Sequence, residues 1–120
     1  MPGCALIVSD RYPYLHIRVS IRAHVLELWG FVDTGFDGYL VVPVTHAEEL
    51  GAEDYEARWE LADGSLVEAS EYVGQVESVG LKTSFPARVT AMGEESLIGR
   101  SLIDRFQLTF DRGRRLLLES

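Results

Sequence analysis

FVDTGFDGYLVVP, residues 31–43, carries an apolar run into a single carboxylate, Asp33, and follows it with Thr34 and Gly35 before a second apolar run closes on Pro43. The run before it, HVLELWGFVD from His24 to Asp33, reads as a strand with a local break at Gly30. The run after it, Tyr39 to Pro43, reads as a short buried strand that proline ends. Asp33 therefore leaves a buried strand into a loop, a place where an acid meets solvent and where neighbours tune it. Gly35 lets the backbone come close and offers an N–H to the carboxylate. The same tripeptide also reads as ordinary punctuation, with Asp33 and Asp37 as turn formers between two strands. The tripeptide alone leaves both readings open.

Upstream, YLHIRVSI places Leu15, Ile17, Val19 and Ile21 on one face and polar residues on the other, the period-two mark of a half-buried strand, with a turn at Arg22 and Ala23. Downstream, VTHAEELG offers Thr45 as a helix cap, Glu48 at capping-box spacing and Gly51 as a stop, which predicts a minor helix. YEARWELADGSLVEASEYV reads as two strands joined at Asp63 and Gly64, where a tight hairpin needs positive backbone dihedrals.

Two further β segments follow, GQVESVG and KTSFPARVTAM, with Pro86 demanding an edge or a bulge. Leu97-Ile98-Gly99 reads as a short buried strand, and Leu102, Ile103 and Phe106 give helical spacing over Arg100 to Phe106. FQLTFD and RRLLLE form a last hairpin around Arg112 and Gly113. The pattern is mainly β with two short helices, that of a small barrel or sandwich.

At 120 residues, 47% hydrophobic and 25% charged, the chain is expected to fold throughout as a single domain, residues 1–120. The net charge of -8, with Lys82 the only lysine, argues against nucleic acid. The cluster Arg112, Arg114 and Arg115 reads as a solvated edge. Cys4 is the only cysteine, which excludes an internal disulfide and a thiolate cluster and makes a catalytic thiol improbable. The first residues give neither a membrane span nor a signal peptide, so the expectation is cytoplasmic, with no membrane partner. His16, His24 and His46 lack ligand spacing, no serine sits in a nucleophile elbow and no glycine-rich phosphate loop follows a strand. No metal and no cofactor are expected. Tyr12, Tyr14 and Trp59 are aromatic surface that could meet a peptide, yet in a β domain such residues are more often core.

VDTGFDGYLVVP, followed some fifty residues later by LIGRSLIDRFQLTFD, resembles the retroviral-type, or retropepsin-like, aspartic proteases, and in particular their single-domain bacterial and archaeal relatives. The resemblance runs from about Tyr14 to the C-terminal end, although only the first motif and LIGR are specific. It implies a small closed acid-protease-type β-barrel with one or two short helices and a hairpin flap. Carried over by position, Asp33 is the catalytic carboxylate, Thr34 the hydroxyl that bonds across to a partner loop, and Gly35 a wall of the substrate groove. Asp37 and Arg100 match a pair that braces the active-site loop against the helix by an ion pair. The flap tip at Asp63 and Gly64 would close over substrate. Phe36 stands where retroviral members carry a small residue, as it often does in the bacterial relatives, and leaves the groove narrower or differently shaped, so the family's substrate preference does not carry over.

The chemistry so implied needs two carboxylates sharing a proton, one to activate water and one to protonate the scissile carbonyl. The chain has one Asp-Thr-Gly and no room for a second lobe, so the active form would be a homodimer with one Asp33 from each copy. RRLLLES, and CALIVS near the start, are the candidate interface strands. The expected function is an aspartic endopeptidase acting on peptide or protein substrates. The alternative is a non-catalytic peptide- or protein-binding module on the same fold.

Overall fold

The alternation over residues 14–21 becomes a strand whose Leu15, Ile17, Val19 and Ile21 are all buried, and the barrel is built around it. The computed structural model describes residues 6–81 and 83–119. Cys4, Lys82 and Ser120, and with them the first two residues of CALIVS and the last residue of RRLLLES, lie outside the described residues.

In chain order the elements are β1 (Leu6–Ser9), β2 (Tyr14–Ile21), β3 (His24–Val32), β4 (Leu40–Val42), α1 (His46–Leu50), β5 (Tyr55–Glu60), β6 (Leu66–Ser78), β7 (Ser84–Ala91), β8 (Leu97–Ile98), α2 (Arg100–Ile103), β9 (Gln107–Asp111) and β10 (Arg115–Glu119). The larger sheet runs β2-β3-β8-β4-β7-β6-β5, and a further pairing of β2 with β6 closes it into a ring that excludes only β5. The mainly β barrel with two short helices is the architecture the resemblance implies. Two contacts in the ring are parallel, β3 with β8 (Val32↔Ile98) and β4 with β7 (Leu40↔Val89). β8 is thereby wedged between β3 and β4, the strands that enter and leave the Asp33 loop.

The interior is filled by Leu15, Ile17, Val19, Ile21, Val76, Val89, Ile98 and the inward residues Leu116 and Leu118 of β10. Each large aliphatic so buried stabilises the fold by about 1.5–3 kcal/mol. Leu102 and Ile103 of α2 join the same core, which fixes that helix against the barrel.

Several local readings change. Gly30 does not break β3, which runs unbroken with Leu15 opposite Gly30. The glycine is there because a Cβ would lie 2.5 Å from the Ile98 side chain, so β8 approaches only over a bare backbone. GQVESVG is not a separate strand but the second half of β6, and Gly74 within it lets the Ser20 carbonyl oxygen approach to 2.7 Å of where a Cβ would sit. Thr45 adopts helical dihedrals and makes no side-chain cap, so the capping box does not form, while Gly51 at φ 77° ends α1 as expected. The β5–β6 turn is longer than a two-residue hairpin. Gly64 N–H donates to Leu61 O and Leu61 N–H to Ser65 O, leaving Ala62, Asp63 and Gly64 as the loop, with only Gly64 at positive φ, 87°. α2 is shorter than the apolar spacing suggested and ends at Ile103, with Phe106 half-buried beyond it. Pro86 lies on the stretch of β7 that extends past β4, an edge, as its missing N–H requires.

A second sheet runs β1-β10-β9. The two segments expected to be interface strands pair with each other, Leu6↔Glu119 to Ser9↔Leu116, and β9 takes the other edge of β10. Both edges of β10 are thus satisfied within one chain. Among the described residues the outer edges of β1 and β9 remain open, and on β1 Leu6 and Val8 are exposed.

Candidate active site

Asp33 leaves β3 at the point where the strand's last hydrogen bonds pass to β8. Its N–H donates to Ile98 O at 3.0 Å, and Val32 N–H donates to Pro13 O at 3.0 Å. The carboxylate is partly exposed, and Gly35 N–H donates to Oδ1 at 3.0 Å. A Cβ on Gly35 would lie 3.3 Å from that same oxygen, so a glycine keeps the approach open. One carboxylate oxygen is oriented by backbone, and Phe36 N–H closes the turn onto Asp33 O at 3.2 Å. Thr34 is exposed at the crest of the turn.

The loop is then tied to the start of α2 by a row of bonds. Arg100 N–H donates to Phe36 O (2.8 Å), Ser101 N–H to Gly38 O (3.1 Å), and Gly99 N–H to Tyr39 O (2.9 Å). Ser101 Oγ–H donates to Asp37 O at 2.7 Å. Gly99 permits this contact, since a Cβ there would run into the Gly38 carbonyl oxygen and the Phe36 ring.

The expected ion pair between Asp37 and Arg100 does not form. The Arg100 guanidinium sits one helical turn along its own helix, 3.5 Å from Asp104 Oδ2, with both side chains more than half exposed. Asp37 meets the helix through its backbone carbonyl instead, and Ser101, which the sequence reading did not single out, supplies the donor. The physical reason is that the chain backbones already lie in contact across Gly99. The brace is made of peptide groups, and the two charges are left to solvent.

The hairpin β5–β6 stands over this loop. At its tip Asp63 Oδ1 accepts from Ser65 Oγ–H (2.6 Å) and Ser65 N–H (2.9 Å), which hold the Asp63 carboxyl below its ordinary value, the hydroxyl first and the amide second. Asp63 and Gly64 are exposed, and a Cβ on Gly64 would meet nothing within 4 Å. At its base, Asp54 accepts from Val73 N–H (2.8 Å) and from Arg22 Nη2 (2.7 Å), and the Val73 amide is the main cause of its lowered pKa. Arg22, at φ 53° in the β2–β3 turn, is held in that conformation by these bonds and by its donation to Ala52 O at 2.9 Å.

Hairpin and loop meet in an aromatic contact. The rings of Phe36 and Trp59 lie 5.4 Å apart at 55°. Trp59 is the residue that the sequence left unassigned, and the signal that marks it is the alternation of β5, where Ala57 and Trp59 alone are half-buried.

Among the described residues no group of three or more His, Cys, Asp or Glu stands close enough to hold a metal ion. No helix among them is long and apolar enough to cross a membrane.

The fold is that of an acid-protease-type β-barrel. The solved crystal structure of a retropepsin-like aspartic protease from Rickettsia conorii is similar over 97% of this chain and 91% of that one, with a TM-score of 0.67 and 21% sequence identity. No protein-family model and no curated protein matches the sequence. At that identity the likeness establishes the fold, and function rests on the site.

Proposed function

We propose that the chain is an aspartic endopeptidase that works as a two-fold homodimer, with one Asp33 from each copy forming the reactive pair. The observation that carries this reading is the setting of Asp33: a partly exposed carboxylate at the end of a barrel strand, oriented by Gly35 N–H and mounted on a loop bonded to α2. Placement to within a fraction of an ångström is what general acid/base chemistry requires. Thr34 at the exposed crest is available to a second loop, and the exposed Leu6 and Val8 offer apolar surface on an open strand edge.

In the dimer the two carboxylates carry one proton between them. The ionised one takes a proton from water as the water oxygen attacks the scissile carbonyl carbon, and the neutral one donates its proton to the carbonyl oxygen. As the tetrahedral diol collapses, one carboxyl gives its proton to the amine nitrogen while the other carboxylate takes the proton of a diol hydroxyl, the C–N bond breaks to release a carboxylic acid and an amine, and the pair again holds a single proton. No covalent intermediate forms with the protein. The hairpin would lie over an extended peptide and hold it by backbone hydrogen bonds. Asp37 and Arg100 take part in this reading only as supports of the loop, and Asp63 and Gly64 as the moving tip.

The test is cleavage of a mixed peptide library between acid and neutral pH by the wild type and by Asp33→Asn, with the mass of the species measured in the same buffers. Cleavage by a dimer that the substitution abolishes is the expected result. Cleavage that survives it overturns the mechanism.

A second reading, a peptide-binding module without catalysis, is favoured by the Phe36–Trp59 contact, which fills space between loop and hairpin. Peptide binding without cleavage by either form would select it.

A further inference from the structure

Phe36 occupies a slot made for it. A Cβ on Gly38 would come within 2.5 Å of its ring, and one on Gly99 within 2.7 Å, so two glycines flank the ring from the loop side. Trp59 covers it from the hairpin side, with its six-membered ring edge 3.3 Å from the same Gly38 Cβ position. Phe36 is three residues from Asp33 and its N–H is bonded to the Asp33 carbonyl oxygen, so this pair is carried by the same turn as the carboxylate. The indole Nε1–H of Trp59 is buried and has no hydrogen-bond partner. A buried donor left unpaired is unfavourable, and such groups stand out in folded proteins. It would be relieved by an acceptor arriving between hairpin and loop.

We propose that Phe36 and Trp59 are specificity-determining residues: as floor and roof of the groove beside Asp33, they admit a substrate residue with a small side chain, glycine, alanine or serine, whose backbone carbonyl accepts the Trp59 N–H. This rests on the groove lying between the Asp33 loop and the β5–β6 hairpin, as in the protease reading. The entering peptide lifts Trp59 off Phe36 and takes its place. Phe36 stays, because the loop that carries it is bonded to α2. A bulky side chain would have to displace both rings, and a small one displaces only Trp59.

The experiment profiles cleavage of a peptide library by the wild type, Phe36→Ala, Phe36→Leu and Trp59→Phe, and in parallel measures binding of the same peptides to Asp33→Asn with and without each substitution. The expected result is selection of a small residue at one position next to the scissile bond. Phe36→Ala should raise kcat/KM for leucine or phenylalanine at that position at least tenfold, with Phe36→Leu intermediate. Trp59→Phe, which keeps a ring and removes the N–H, should raise KM with little change in kcat and retain the size preference. If the wild type cleaves nothing while Asp33→Asn binds peptides with the same preference, relaxed by Phe36→Ala, the protease reading fails and this one holds. Folded Phe36→Ala or Phe36→Leu with an unchanged size preference in both cleavage and binding overturns it, and so does folded Asp33→Asn that binds no peptide.

Discussion

The Asp33 loop and the β5–β6 hairpin face each other across one space and are held in opposite ways. Between Asp33 and Tyr39 the loop has four backbone amide bonds to residues 98–101 and a fifth bond from the Ser101 hydroxyl. β5 is the terminal strand of its sheet, bonded only to β6, and past its base the hairpin touches the loop through Trp59 on Phe36. Dense backbone bonding raises the cost of local opening, and a ladder at the end of a sheet opens at little cost. The acid is therefore placed once and kept, and its cover is free to leave. That division suits a site whose substrate must enter as an extended chain.

The sharpest way to break this comparison is at the acid itself. Asp33→Asn keeps an oxygen for Gly35 N–H to reach and removes the ionisable group, so the loop should be undisturbed. Peptide cleavage should fall by about 10³-fold, the scale of a lost general acid/base, with an unchanged melting temperature. A variant that unfolds would show instead that the carboxylate is part of the loop's own structure.

Next in size is the backbone contact beneath the loop. Gly99→Ala pushes a methyl group into the Gly38 carbonyl oxygen, and backbone cannot step aside as a side chain can. A loss of about 1–3 kcal/mol is expected, read as a lowered melting temperature together with lost cleavage. Gly64→Ala at the hairpin tip meets nothing within 4 Å and is opposed only by its φ of 87°. It should cost about 1 kcal/mol, the strain of the left-handed backbone alone, and lower the melting temperature less than Gly99→Ala does. Equal losses at the two glycines would mean that hairpin and loop are one cooperative unit.

The brace gives a third contrast. Ser101→Ala removes the hydroxyl bond to Asp37 O and should cost about 1 kcal/mol. Arg100→Ala removes a solvent-exposed ion pair with Asp104 and should cost about 0–1 kcal/mol, at the lower end because both groups are mostly exposed. Thermal melts of the two variants decide it. If Arg100→Ala proves the more damaging, the guanidinium serves Asp37 after all.

What was legible in the sequence divides along the same line. The entry strand to Asp33, the β2–β3 turn at Arg22 and Ala23, the LIG strand and the final hairpin rest on period and turn chemistry, which are local. Gly30 and Gly74 were not legible as packing sites, because a glycine in a strand looks the same whether it bends the chain or receives a neighbour, and the neighbours, Ile98 and Ser20, are distant in sequence. The pairing of β1 with β10 is likewise long-range. Asp37 and Arg100 were paired through the family resemblance, and no spacing rule reveals that Gly99 lets the backbones bond directly. Trp59 stayed unassigned because its meaning depends on Phe36 in another segment.

The smallest expected effect lies within the hairpin, where two acids respond to pH with opposite sign. Glu56 is held above its ordinary value of 4.5 by a hydrogen bond with Glu68, by the Glu68 charge and by the charge of Glu53. A raised carboxyl is one whose protonated form the fold prefers, so the repulsion in the stem is present above that pKa and is relieved as pH falls through it. Asp63 is held below its ordinary value of 3.8 by the Ser65 hydroxyl and amide. Its contribution is complete above 3.8 and is lost as pH falls through the lowered value. Acidification from neutral pH therefore tightens the stem first and frees the tip only later. Amide protection factors across Tyr55–Glu60 should rise between pH 7 and about 4 and fall again in stronger acid, where protonated Asp63 no longer caps the turn. Glu68→Gln should remove the rise and leave the fall. A hairpin whose protection declines steadily from neutral pH would show that the stem acids do not share a proton. Its cover would then loosen in acid, and the division of labour between loop and hairpin would widen as pH drops.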